Sequence, residues 1–290
     1  MMKNYTGKAV AIALFCVTVC VSMIVGCTGK TDEESAAPLK VSLLKVGKAD
    51  AIVVQTDEKT MVIDTGEEED GEEVVMFLEN QGIKYVDTLI ITHFDRDHVG
   101  GADTLVESME VGQVFLPAYE GNRTEYFDFM EALKQKNITP QELTQPVELE
   151  MGMAKVLIEP PLSYETDGSA AEFDNNFSLI TTVTYGEIRL LFMGDADKQR
   201  IRQWISGVTA ADCDFLKVPH HGVYNTALKE LLEAVTPEYA AICSSNKHPA
   251  DVQTLELLKQ QSIRPLQTKD GNITIISDGS RLEMSQELEH

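Results

Sequence analysis

An apolar strand that runs directly into a dense run of metal-binding side chains constrains this chain more than any other feature. Asp87-Thr88-Leu89-Ile90-Ile91-Thr92 reads as a buried strand, and His93-Phe94-Asp95-Arg96-Asp97-His98 follows it without a break. His93, Asp95, Asp97 and His98 therefore fall within six residues at a strand end. Imidazoles and carboxylates in such company suit a divalent ion such as Zn²⁺ or Mn²⁺. Two of the chain's six histidines lie in this one turn, a density that argues against a polar turn with chance histidines. Val99-Gly100-Gly101 comes next, and the glycines are expected to permit a sharp turn and a helix start beside the ions.

Two further strands end in ligand-type residues. Leu190-Leu191-Phe192-Met193-Gly194 delivers Asp195, and Phe215-Leu216-Lys217-Val218-Pro219 delivers His220 and His221 ahead of Gly222. Alone, Asp195 could cap the next helix and the histidine pair could sit in a surface turn. Three strands each carrying ligands at one end favour a shared site. His248 follows Ser244-Ser245-Asn246-Lys247 and precedes a helix, which suits a phosphate contact, a leaving-group proton donor or a capping turn.

The N-terminal 27 residues read as a targeting segment. Lys3 and Lys8 precede an apolar run over residues 9–25, and Ile24-Val25-Gly26-Cys27 has the form of a lipobox, with cleavage before Cys27 and acylation of its thiol. The alternative is an uncleaved anchor, for which an apolar run of about 17 residues is short. Either way the remainder is expected outside the cytoplasmic membrane and tethered to it, on the extracytoplasmic face. Residues 28–38 read as a short polar linker, residues 39–280 as the folded domain and residues 281–290 as a polar tail. Only Cys213 and Cys243 remain in the folded part, as a pair or as buried thiols. The chain carries 47 Asp and Glu against 24 Lys and Arg, a net charge of −23 that disfavours non-specific nucleic-acid binding.

Hydrophobic periodicity predicts strands over 39–46, 51–55, 60–63, 88–92 and 114–116, and helices over 72–80, 101–108 and 124–136. In the last helix Phe127, Met130 and Leu133 fall at helical spacing. Hairpins follow around Met151-Gly152 and Tyr185-Gly186, with a polar loop over 167–176 between them. Helices over 198–205, 226–234 and 250–261 alternate with strands over 215–218 and 239–242, and 273–276 is the expected last strand. Two sheets with helices packed outside fit this order.

Taken together the motifs resemble the metallo-β-lactamase superfamily, and more closely the hydrolase domain of ComEC-type DNA-uptake (competence) proteins, here as a free-standing lipoprotein. The resemblance rests on Val46-Gly47 with Asp50, Val62-Ile63-Asp64-Thr65-Gly66, and His93 through Gly101. It continues in Asn175-Asn176-Phe177-Ser178-Leu179, Met193-Gly194-Asp195, Lys217 through Gly222, His248-Pro249 and Thr268 with Asp270-Gly271. It implies an α/β fold, an αββα four-layer sandwich, with one or two divalent metal ions at its edge. His93 and Asp95 would hold the first ion, Asp97 and His98 the second, and Asp195 would bridge. One of His220 and His221 would complete the second site, the register favouring His221. Asp95 stands where the superfamily's common HxHxDH pattern has a histidine, and no histidine occurs between 98 and 220. Asn176 is expected in the neighbourhood of the missing mid-chain ligand. Oxygen ligands shift preference from Zn²⁺ toward Mn²⁺.

The implied function is a metal-dependent phosphodiesterase, nuclease-like, in which Asp97 both binds metal and orients water and His248 assists. A hydrolase of small or cell-envelope substrates (choline phosphoesters, teichoic-type polymers, lactones) is the alternative, with a non-catalytic binding lipoprotein as a third reading. β-Lactamase activity fits less well, because the first site is altered.

Overall fold

A computed structural model describes residues 37–164, 174–207 and 212–287. The signal segment, Cys27 and most of the linker lie outside the described residues, as does most of the 167–176 loop. Strands β1 (Leu39–Leu43), β2 (Ala51–Gln55), β3 (Thr60–Thr65), β4 (Tyr85–Ile90), β5 (Glu110–Pro117) and β6 (Gln141–Leu143) begin the first sheet. The second is built from β7 (Val147–Met151), β8 (Ala154–Glu159), β9 (Ile180–Tyr185), β10 (Ile188–Phe192), β11 (Phe215–Lys217), β12 (Tyr239–Ile242) and β13 (Leu266–Gln267). The chain then returns for β14 (Ile273–Ser277) and β15 (Leu282–Gln286). The sheet orders are β15-β14-β1-β2-β3-β4-β5-β6 and β13-β12-β11-β10-β9-β8-β7.

The period of two along each strand sorts side chains into layers. Met61 and Ile63 join Leu190, Phe192 and Phe215 in the core between the sheets. Val62, Val53 and Leu89, the alternate residues, face α1 (Gly71–Asn80), α2 (Arg96–Val99), α3 (Ala102–Ser108) and α4 (Thr124–Gln135). On the far side Leu191 and Leu216 pack under α5 (Lys198–Gly207), α6 (Ala227–Val235) and α7 (Val252–Gln260). This is the αββα sandwich.

Several local expectations needed correction. The helix over α4 buries Tyr126, Phe129 and Leu133, whereas Phe127 is 51% exposed. Apolar residues at 126, 127, 129, 130 and 133 admit two faces, and the tilted contact of Tyr126 with Phe94, ring centroids 4.6 Å apart, selects one. Strand β14 is not the last: β15 forms from Leu282–Gln286, within the stretch read as a polar tail, and pairs antiparallel with β14. As an edge strand with one face to solvent it has too little apolar patterning to stand out. The short strands β6 and β13 escaped notice for the same reason. Cys213 and Cys243 are buried free thiols.

Candidate metal centre

Strand ends build the site. β3 runs parallel to β4, and β10, β11 and β12 run parallel to one another. The carboxyl ends of both parallel groups meet at one edge of the sandwich, where Leu179 N–H donates to Thr92 O across the sheets at 2.9 Å. The His93–His98 motif closes onto this edge as the helical turn α2. Gly100 and Gly101 form the turn between α2 and α3, with Gly101 at the N-cap of α3, and both also allow close approach. A Cβ at Gly100 would lie 2.4 Å from Arg96 O, and one at Gly101 2.5 Å from Thr65 O. His220, His221 and Gly222 take left-handed backbone in succession (φ 50°, 51° and 78°), which folds the histidine pair back over the edge.

The imidazoles of His93, His98 and His221 are buried, and each has its Nδ1 side engaged. His98 Nδ1 donates to Asp64 Oδ2 at 2.8 Å. Asp64 also accepts Thr92 N–H and Oγ1–H, both at 2.7 Å. With its proton committed, Thr92 Oγ1 accepts from His93 Nδ1 at 3.1 Å. His221 Nδ1 donates to Cys243 O at 3.2 Å. In the neutral rings the three Nε2 atoms are thereby left with free lone pairs, and all three are buried without a hydrogen bond. Imidazoles held by Nδ1 with Nε2 turned inward are the arrangement of metal ligands.

Carboxylates complete the cluster. Asp195 Oδ2 lies 3.3 Å from His98 Nε2 and 3.0 Å from His221 Nε2. Asp97 Oδ2 lies 3.3 Å from His221 Nε2, and Asp95 Oδ2 3.7 Å from His93 Nε2. His93, His98 and Asp195 form one group whose ligand atoms lie within 4.8 Å of one another, and Asp97, His98 and His221 form another. The donor set, with its buried unpartnered nitrogens, fits divalent cations.

The electrostatics are those of a strongly coupled acidic site. Burial opposes ionisation of Asp195, but His221, His98 and Lys217 outweigh it and hold the carboxyl well below the usual range. Burial would pull His98 down, yet Asp195 and Asp64 lift it well above the ordinary imidazole value. Protons and metal therefore compete for the same nitrogens.

His220 stands apart. Its ring centroid is 6.3 Å from that of His221, and its Nε2 accepts from Asn175 Nδ2 at 3.3 Å. Burial lowers its pKa. Asn175, not Asn176, borders the histidine pair, and its Oδ1 is buried without a hydrogen bond. Asn176 Oδ1 instead accepts the Arg200 N–H at 3.1 Å, at the start of α5. His248 is exposed on the wall of a groove of about 960 Å³ that also contains Asp97 and His221.

The sequence motifs include Asp50, Asp64 and Lys217 but give them no role, and Arg123 is not among them. Lys217 is wholly buried, pairs with Asp50, donates to Gly194 O at 3.0 Å and lies 3.5 Å from Asp195 Oδ1. Asp50 Oδ1 is 3.5 Å from His221 Nδ1. Arg123 Nη2 holds Asp95 Oδ1 at 2.6 Å. A lysine inside the apolar run Phe215-Leu216-Lys217-Val218, and Asp64 at the end of an apolar strand, were the available signals.

The Metallo-beta-lactamase superfamily model matches residues 44–169. The chain is 30% identical over 209 residues to ComE operon protein 3 of Bacillus subtilis, covering 71% of this chain and 26% of that protein. It is 26% identical over 215 residues to Recombination protein 2 of Haemophilus influenzae, covering 72% and 25%. The chain thus spans about a quarter of the length of these relatives. Among solved structures, the diiron β-hydroxylase CmlA from Streptomyces venezuelae superposes with a TM-score of 0.53 at 14% identity, over 87% of this chain and 54% of that one. At that identity the likeness is one of fold. The chain carries a metallo-β-lactamase superfamily domain.

Proposed function

We propose that this chain is a metal-dependent hydrolase of phosphodiesters, held at the outer face of the bacterial membrane by lipid on Cys27. The observation that carries the reading is the convergence of three buried, unbonded Nε2 atoms with the carboxylates of Asp95, Asp97 and Asp195. His93, Asp95 and Asp195 would hold one ion, and Asp97, His98 and His221, sharing Asp195, a second. Bound Zn²⁺ or Mn²⁺ supplies Lewis acidity and brings the pKa of water toward neutrality. Asp97, at the boundary between the buried cluster and the groove, orients the attacking water. Lys48, 3.4 Å from Asp97, and Lys247 on the groove wall offer positive charge to phosphate oxygens. His248 on the same wall can hold phosphate or give a proton to the leaving group. His220 is left out of the ligand set on geometry.

The net charge of −23 favours small phosphodiesters or envelope phosphoesters over long polyanions, so the small-substrate reading stands beside the nuclease-like one. The presence of Asp97, His98, Asp195 and His221 together weighs against a purely binding role. Metal analysis of the purified protein, followed by assay on single-stranded DNA, a chromogenic phosphodiester and a β-lactam, tests the reading. Bound divalent metal with phosphodiester cleavage is expected. Cleavage of the lactam alone, or of none of the three in metal-loaded protein, overturns it.

A further inference from the structure

The groove beside the candidate centre is not uniformly polar. Val223 and Val252 line it, 39% and 66% exposed, and Tyr224, which follows Val223 in the chain, is 41% exposed. Single exposed apolar side chains occur elsewhere on this chain, but Val223 and Val252 share one groove with Asp97 and His221, where a ligand could cover them. They do not lie on a loose loop. Tyr224 N–H donates to Asp251 Oδ2 at 2.9 Å, and Asp251 N–H to Gly222 O at 3.1 Å. These bonds clamp the turn that carries His221 to the start of α7. Gly222 permits the contact, since a Cβ there would lie 2.7 Å from the Ala250 Cβ. The apolar lip is therefore fixed relative to His221, two residues from Val223, while Lys247 lies on the same wall.

Resting on the phosphodiesterase reading, we propose that Val223, Tyr224 and Val252 form a subsite for an apolar substituent, alkyl or aryl, on the phosphodiester substrate. The phosphate would face the metal ligands and Lys48, and the substituent would lie along the lip. Small-molecule sites commonly pair an apolar wall with a few polar groups that fix orientation. A substrate with one charge and one apolar arm also suits a surface whose net charge repels polyanions.

The test uses the full chain and a series of p-nitrophenyl phosphodiesters whose second substituent is methyl, butyl or phenyl. Covering a methylene is worth about fourfold, so kcat/KM is expected to be about fivefold or more higher for butyl or phenyl than for methyl. A larger gain for butyl points to an alkyl chain, and a larger gain for phenyl to a flat ring. In Tyr224→Ser/Val252→Ser the ratio should fall toward one. Met153→Ser, which removes an equally exposed apolar side chain outside the groove, should keep it. A ratio near one in the parent, or a high ratio that survives the double variant, overturns the subsite. Calorimetric binding of methyl- and butylphosphonate separates the two readings. If no phosphodiester is cleaved but butylphosphonate binds more tightly, and loses that advantage in the double variant, the subsite stands and the phosphodiesterase falls. Equal binding of the two phosphonates overturns the subsite on its own.

Discussion

Asp64 Oδ2 accepts the Nδ1–H of His98 at 2.8 Å, with both side chains wholly buried. The bond fixes which nitrogen of His98 faces the cluster. Asp64→Asn leaves the shape but replaces the carboxylate with an amide that cannot accept from His98 and both Thr92 donors in the same way. Metal affinity is expected to drop by about 10–100-fold, the usual cost of losing a partner that orients a metal-binding histidine. Calorimetric metal titration measures it. Chemical denaturation of the metal-free variant should show a loss of about 1–3 kcal/mol for the disturbed buried bonds.

The two adjacent histidines should separate cleanly. His221→Ala removes an Nε2 that lies 3.0 Å from Asp195 and 3.3 Å from Asp97, and should lower the number of tightly bound ions. His220→Ala removes a ring engaged with Asn175 and should leave the ion count as in the parent. Elemental analysis after gel filtration reads both. An unchanged count in His221→Ala would show that the ligand set has been drawn wrongly.

Lys217 is the counter-charge beneath the site. Removing one partner of a buried ion pair costs about 3–5 kcal/mol, because the other charge is left uncompensated. Lys217→Met should show a loss on that scale in metal-free denaturation. Lys217→Met combined with Asp50→Asn should be less destabilised than Lys217→Met alone. Additive losses would mean the pair is not coupled.

Cys213 and Cys243 should behave as buried thiols and not as a disulfide. Burial pushes the Cys213 thiol up to about 12, and Cys243 is also raised well above its ordinary value by burial. The reactive thiolate is therefore scarce at neutral pH. Iodoacetamide should label neither cysteine in native protein at pH 7–8 and both after denaturation without reductant. Labelling of the native chain should climb as pH rises, by about tenfold per unit while the thiol form dominates.

The strand-to-ligand junctions at His93, Asp195 and His221 were readable because continuous apolar runs end abruptly in residues that apolar strands do not otherwise carry. The order of strands and helices fitted two sheets with outer helices, and the resemblance to the superfamily supplied the αββα sandwich. What could not be read was contact across the sequence. That Asp64 holds His98, that Lys217 neutralises Asp50, and that Asn175 rather than Asn176 reaches the histidine pair depend on how the two sheets meet. The face of α4 was ambiguous for a similar reason, since Phe127 and Phe129 are both apolar and only the packed sheet distinguishes them. Strand β15 lay hidden because one of its faces is solvated.

The proposed activity joins binding of divalent metal by this cluster to hydrolysis of a phosphodiester. Its most direct test is cleavage of bis(p-nitrophenyl) phosphate by Zn²⁺- and Mn²⁺-loaded parent and Asp97→Asn, with thermal melts of each in metal-loaded and metal-free form. The parent should bind one to two ions, melt higher with metal than without, and lose about 10²-fold or more in rate on Asp97→Asn while keeping its fold. Equal rates for parent and Asp97→Asn, or full activity and an unchanged melt after metal removal, would contradict it.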